Sequence, residues 1–403
     1  MVAKMDAHET AMKKNIEKKI HATRKIVRVF LCAGLCLLAS AGLRAQTLPL
    51  YTRWVNYAQA NGFPPGEVFC VTVDGDRVWA GTEHGLVLIE QDHIKKIFTT
   101  KDGLVSNVIM GIAVDHKSGD VWIAAFGGAS VYSGGQFRNY TSMSSGLAND
   151  LVYAVAVQGD FLWFATAAGA SRLDTRDGSW TIFNETNAPF SEPWAYSIAV
   201  TPEKVYIGAW GGGVVAYDLA HHTWRPYTDP DGEMEIVLYR NQGLIHNIVS
   251  SVVYNADTKM FWASTYFGLS GYDGRNWHNY LTKDSGLAAN FVNAVRSHGN
   301  EVWACTQNGL SELDYAHNAW VTYRPNSKTG RGEILMTAPD GKQRRLATPT
   351  ALAHNYILSM DFQGEDIWVA TAQGLSHGIP EHNATKISNA EKIKEKSHES
   401  KRD

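Results

Sequence analysis

Apolar residues along this chain come in short bursts, each closed by a small turn. Residues 78–86 read VWAGTEHGL: an apolar run, a polar turn, then Gly and another apolar residue. That is the pattern of a strand entering a tight turn. Nearly the same phrase returns as VWIAAFGGA from Val121, LWFATAAGA from Leu162, VYIGAWGGG from Val205, FWASTYFGL from Phe261, VWACTQNGL from Val302 and IWVATAQGL from Ile367. Its aromatic second residues are Trp79, Trp122, Trp163, Tyr206, Trp262, Trp303 and Trp368, spaced by 43, 41, 43, 56, 41 and 65 residues. A period near 42 is that of a four-stranded blade, so the pattern predicts an all-β, seven-bladed β-propeller.

Residues 103–140 show the plan of one blade. Asn107 to Val114 is predicted as the innermost strand, Val121 to Ala125 as the second, 128–133 (GASVYS) as the third and Phe137 to Tyr140 as the fourth. Strands covered on both faces by neighbouring blades need not alternate, which accounts for the continuous apolar runs. The fourth strand repeats aromatic-x-x-aromatic: Phe137/Tyr140, Trp180/Phe183, Trp224/Tyr227, Trp277/Tyr280 and Trp320/Tyr323. The next blade often opens on Gly-Leu with Asn or Asp four residues after the Gly: Gly103/Asn107, Gly146/Asp150, Gly243/Asn247 and Gly286/Asn290. These Asn and Asp side chains are expected to bond turn backbone.

No Trp, Tyr or Phe follows Trp368, so the seventh blade lacks a fourth strand of its own. Trp54-Val-Asn-Tyr57 matches the missing one, and residues 51–58 are expected to pair with the strand near Gly374–Gly378. Such closure removes an exposed sheet edge.

The first 45 residues read differently. A basic run from Lys13 to Arg28 precedes a 15-residue apolar segment, Val29 to Leu43, and then small residues in ASAGLRA. This reads as a secretory signal peptide, cut after Ala41 or Ala45. The long basic region makes Met12 an alternative start. Neither Cys32 nor Cys36 has the Leu three places earlier that lipid anchoring needs, so a periplasmic or secreted soluble protein is expected. Nine Lys/Arg against three Asp/Glu give this segment a net of +6, which leaves −9 for the remainder of a chain that totals −3. An acidic body argues against a nucleic-acid partner. Cys70 and Cys305 remain after cleavage, in the first and sixth blades by this alignment. Blades so placed are not neighbours, so two buried thiols are expected rather than a disulfide. Residues 381–403 carry no aromatic and mixed charge, and are predicted as a disordered tail.

The VW-[AI]-G-T-x-x-G-L phrase, the W-x-x-Y strand and the GL-x-x-N opening together resemble the two-component regulator propeller repeat, over roughly residues 50–380. The resemblance implies a periplasmic ligand-binding sensor region of bacterial hybrid two-component receptors. No transmembrane, kinase or DNA-binding segment follows the repeats, so the chain looks like the sensing module alone, with a separate membrane sensor kinase or envelope protein as its expected partner.

In a propeller, the turns between second and third strands share a face with the blade-to-blade connections. These turns are the variable part of the repeat, and variable turns on a rigid scaffold are the usual place for binding. The expected ligand-binding residues are therefore Glu83, His84, Phe126, Trp210, Tyr266, Phe267, Gln307, Asn308 and Gln373, with Trp194 from the irregular connection NAPFSEPWAYS. Aromatic plates with interspersed polar groups suit a small molecule, an oligosaccharide or a peptide. The competing reading is that each aromatic packs against the next blade. Two long connections belong to the same face: one contains EMEIVLYRNQG, and the other EILMTAPDGKQRRLAT, a hairpin about Asp340-Gly341.

Catalytic motifs are sparse: there is no G-x-S-x-G, no H-E-x-x-H and no Cys-rich metal spacing. No cofactor and no metal are expected. His221-His222 falls in a third-to-fourth-strand turn and reads as a solvated turn. The alternative to a binding module is a secreted propeller lyase or glycan-active enzyme, with Glu83-His84 as an acid/base pair facing across the channel mouth. A third reading, an envelope scaffold, would have the insertions project as an apolar platform.

Overall fold

The computed structural model describes residues 49–232 and 239–381. The expected signal segment, the greater part of the charged tail and most of EMEIVLYRNQG lie outside the described residues. Among the described residues there is no α-helix, only two 3-10 turns, Gln59–Asn61 and Thr100–Asp102.

The protein is a seven-bladed β-propeller. Blade 1 is formed by Val68–Asp74, Arg77–Thr82, Gly85–Glu90 and His93–Phe98, paired antiparallel in that order from the axis outward. Blades 2 to 5 repeat this plan over residues 109–140, 152–183, 195–227 and 249–280. The innermost strands neighbour one another in cyclic order, through Val292–His298 of blade 6 and Ile357–Gln363 of blade 7 back to blade 1.

The hydrophobic core of the described residues is split into seven clusters, one at each junction between blades. Each repeated aromatic of the second strand is buried, from Trp163 and Trp303 at 0% exposed to Tyr206 at 6%. A second strand such as Arg77–Thr82 is therefore apolar along its whole inner length, because both of its faces meet a neighbour. Each connection also drops one apolar plug into a junction. Phe63, Leu104, Leu147, Phe190, Leu244, Leu287 and Leu352 are all buried. Phe190 fills the Leu position where the Gly-Leu pattern breaks.

One glycine recurs because no other residue fits. Gly85, Gly128, Gly169, Gly213, Gly268, Gly309 and Gly374 open the third strands, all with positive φ. A Cβ on any of them would lie 2.1–2.8 Å from the carbonyl oxygen that ends the fourth strand.

The ring closes as expected. Leu50–Tyr57 pairs antiparallel with Gly374–Glu381, placing Trp54 opposite Gly378 and Leu50 opposite Glu381, the first residue assigned to the tail. The second insertion departs from expectation. Its strands, Gly332–Thr337 and Gln343–Thr348, do form a hairpin, but they add to the outer edge of blade 6 beyond Ala319–Pro325, making a six-stranded sheet. They do not overhang the mouth. Ile334 and Leu352 pack with Leu50, Tyr51 and Trp54, and the Trp54 N–H donates to Thr350 Oγ1 at 2.7 Å. The apolar side of the hairpin is thereby spent on bracing the closing strand.

Candidate functional site

Seven hydrogen bonds fix the mouth of the propeller. The first residue of each second-to-third-strand turn donates its N–H to the carbonyl just before an innermost strand. Glu83, Phe126, Ala167, Trp210, Tyr266, Gln307 and Ala372 bond Glu67, Val108, Leu151, Trp194, Ile248, Phe291 and Tyr356 in turn. In five blades the turn is also held by a buried Thr. Thr306 Oγ1, for example, donates to the Gly309 carbonyl at 2.7 Å and accepts from the Asn308 N–H at 3.1 Å. The Asn/Asp signature is structural in the same way: Asn107, Asp150, Asn247 and Asn290 each accept a backbone N–H of the preceding connection at 2.6–2.9 Å.

Just inside this rim every innermost strand carries a bulge. The register skips Phe69, Met110, Tyr153, Tyr196, Ser250, Asn293 and Leu358 in the seven blades. All seven of these residues line a cavity of about 350 Å³ in the central channel. A bulge re-aims a side chain, and here one from each blade is turned toward the axis.

Two of them, Tyr153 and Tyr196, join aromatics of the turns and connections in a continuous arc. Phe126 meets Tyr153 edge-on at 5.4 Å, Tyr153 stacks on Tyr196 at 4.3 Å, and Tyr196 stacks on Trp210 at 4.7 Å. Trp210 meets Tyr266 at 4.4 Å, Tyr266 meets Phe291 at 4.0 Å, and Phe291 lies 6.5 Å from Tyr356. Burial raises the phenols of Tyr196, Tyr266 and Tyr356, so they stay protonated donors through the physiological range.

The expected site residues divide. Trp210 and Tyr266 line the cavity, and Phe126 extends the arc from its edge. Trp194 is 44% exposed on the rim and touches the site through its carbonyl bond to Trp210. Phe267 lies on the other side of its turn, near His246 at 6.4 Å. Gln307, Asn308 and Gln373 are exposed at turn tips outside the cavity. Glu83 folds back to accept the Glu67 N–H at 3.3 Å, and exposed His84 is 3.9 Å from it within the same turn. The two therefore do not face each other across the channel. His221 and His222 bond Asp218 and Tyr217 locally.

Sequence reasoning missed Tyr153, Tyr196, Phe291 and Tyr356, and also Arg296, the one charged side chain among the cavity-lining residues. Cys70 and Cys305 are buried and unpaired, as expected.

With this geometry, solved structures similar to the chain can be compared. No protein-family model matches the sequence, and a comparison with curated proteins found no relative. The solved structures similar to the chain include extracellular domains of two-component and one-component systems and a lyase. The extracellular domain of a protein assigned to the hybrid two-component systems of B. thetaiotaomicron aligns with TM-score 0.63 and 18% identity, over 82% of this chain and 41% of that one. The extracellular domain of a protein from the same organism, assigned as a one-component system, gives 0.62 and 18%, over 82% and 40%. The chain thus spans about two fifths of those ectodomains. Virginiamycin B lyase from Staphylococcus aureus aligns with TM-score 0.56 and 11% identity, over 81% of this chain and 97% of the lyase. At these identities the likeness is one of fold.

Proposed function

We propose that this chain is an exported ligand-binding propeller of the sensor type, periplasmic or secreted, which takes a small-molecule, sugar or peptide ligand at the aromatic mouth of its channel. The observation that carries this reading is the unbroken arc from Phe126 to Tyr356 at one end of a channel cavity. Stacked rings with phenolic edges match ligands that have apolar faces and polar rims. The likeness to extracellular domains of two-component proteins supports a sensor role, and a signal segment at the start of the chain supports export. A separate membrane sensor kinase or an envelope protein would receive the signal. A binding role is favoured over a lyase or glycan-active enzyme because the cavity lining carries no carboxylate or imidazole to move a proton. A glycan and peptide array with the purified protein, followed by calorimetry of each hit on the wild type and on Trp210→Ala, tests the reading. Hits whose affinity depends on Trp210 support it; hits indifferent to Trp210 and Tyr266 remove the pocket.

A further inference from the structure

The channel wall is asymmetric in charge. Opposite the repeated aromatic of the second strand, the innermost strands carry Thr72, Ala113, Ala156, Ala199 and Val253 in blades 1 to 5, Arg296 in blade 6 and Asp361 in blade 7. The Asp361 carboxylate is held by backbone, Oδ2 accepting the Val73 N–H at 2.7 Å and Oδ1 the Phe362 N–H at 3.0 Å, and it feels the Arg296 charge only at a distance, with no ion pair between them. Arg296 lines the cavity, and its guanidinium makes one hydrogen bond, to the Val295 carbonyl at 3.0 Å. It makes no ion pair with a carboxylate among the described residues. A guanidinium has five donors in a planar fork that matches a carboxylate. Leaving such a cation half-buried and unpaired is costly, and an anion supplied from outside relieves that cost.

Arg296 sits three residues inward of the bulged Asn293, roughly 10 Å along the strand, so ring and charge would be read at different depths. The body of the protein is acidic, so long-range attraction does not favour anions here, and selection falls to the short-range contact.

We propose that Arg296 anchors a carboxylate: the channel takes a small ring-bearing organic acid, its ring face against Tyr196, Trp210 and Tyr266 and its carboxylate on the Arg296 guanidinium. This rests on the reading of the cavity as a binding site and adds the charge of what it binds. A ring carboxylate can come from an acidic sugar or an aromatic acid, and matched pairs distinguish them.

The test titrates the full-length mature protein with D-glucuronate against D-glucose, and with benzoate against benzamide, by calorimetry and by Trp fluorescence. At least one acid is expected to bind tenfold or more tighter than its neutral partner, and the pair showing the preference identifies the source. Arg296→Met is expected to remove that preference, with the neutral partner still bound and the thermal midpoint at or above that of the wild type. Equal affinity within both pairs overturns the proposal, as does a preference that survives Arg296→Met. If that variant does not fold, the wild-type ratios alone decide. Neutral array ligands that depend on Trp210 but not on Arg296 sink this inference and leave the binding-site reading standing; the absence of any Trp210-dependent ligand sinks both.

Discussion

The indole of Trp54 covers the Cα of Gly378, its register partner across the seam that closes the ring; a Cβ there would lie 2.6 Å from Trp54 Cζ3. The same Trp54 meets Tyr323 of blade 6 edge-on at 6.1 Å. Gly378 thus leaves room for the ring that joins the first strand to the last sheet. Gly378→Val is expected to force Trp54 out of its slot and lower stability by about 1–3 kcal/mol. A thermal melt reads this, and an unchanged midpoint would show that the seam tolerates the lost fit.

At the mouth, Trp210→Ala and Tyr266→Ala should each weaken ligand binding by tenfold or more with little loss of fold, because both rings are only partly buried and face the cavity. Tyr196→Ala, which removes the plate between Tyr153 and Trp210, should do the same. Calorimetry with circular dichroism on each variant separates lost binding from lost structure. Gln373→Ala, at an exposed turn tip, should leave affinity within about twofold.

Glu312 is fully buried, accepts the Tyr323 hydroxyl at 2.9 Å, and has a second carboxyl oxygen with no partner. Burial, with Glu301 and Asp314 adding repulsion, holds its pKa well above the usual carboxylate range. An acid whose folded pKa is raised binds more protons folded than unfolded. Its stabilising contribution is present below the unfolded pKa of about 4.5 and is lost as pH rises toward the folded value. Glu312→Gln should therefore make the decline of stability above about pH 4.5 shallower and stabilise the protein at pH 8 by about 1–3 kcal/mol. Denaturant midpoints at pH 5 and pH 8 check it: an equal shift at both would mean that Glu312 does not titrate.

The buried Thr of the turns is open to the same kind of measurement. Thr306→Val removes the hydroxyl that joins Asn308 to Gly309 and leaves both backbone groups short of a partner. The expected cost is about 1–2 kcal/mol in a denaturant titration.

Burial pushes the thiols of Cys70 and Cys305 up to about 12. An aromatic disulfide reagent at pH 8 should leave Cys70 and Cys305 unmodified in the folded protein and label both once it is unfolded. Rapid labelling of the native state would mean that the junctions around blades 1 and 6 open.

The ring was legible in the sequence because each blade needs one large aromatic between sheets and one glycine under a carbonyl, and both recur at fixed offsets. Trp79 through Trp368 marked the second strands, and Trp54 marked the missing fourth. The site was less legible. Strand periodicity places side chains by alternation, and the bulge in every innermost strand breaks alternation at the very residue that reaches the axis. Tyr153 and Tyr196 therefore read as ordinary inner-strand positions. A signal did exist: the bulged residue stands three places after the opening Asn or Asp, as in Asp150/Tyr153 and Asn290/Asn293. The hairpin at Asp340-Gly341 was legible as a hairpin. Its attachment to the edge of blade 6 was not, since that depends on which strand it pairs with.

Leu50 pairs with Glu381, across almost the whole length of the folded polypeptide. Synthesis runs from the N-terminus, so Leu50–Tyr57 is made before all the blades and must wait, unpaired, until Gly374–Glu381 follows. A product broken off before Gly374 lacks the strand that seals the ring, so the circle stays open until its seventh sheet has been made.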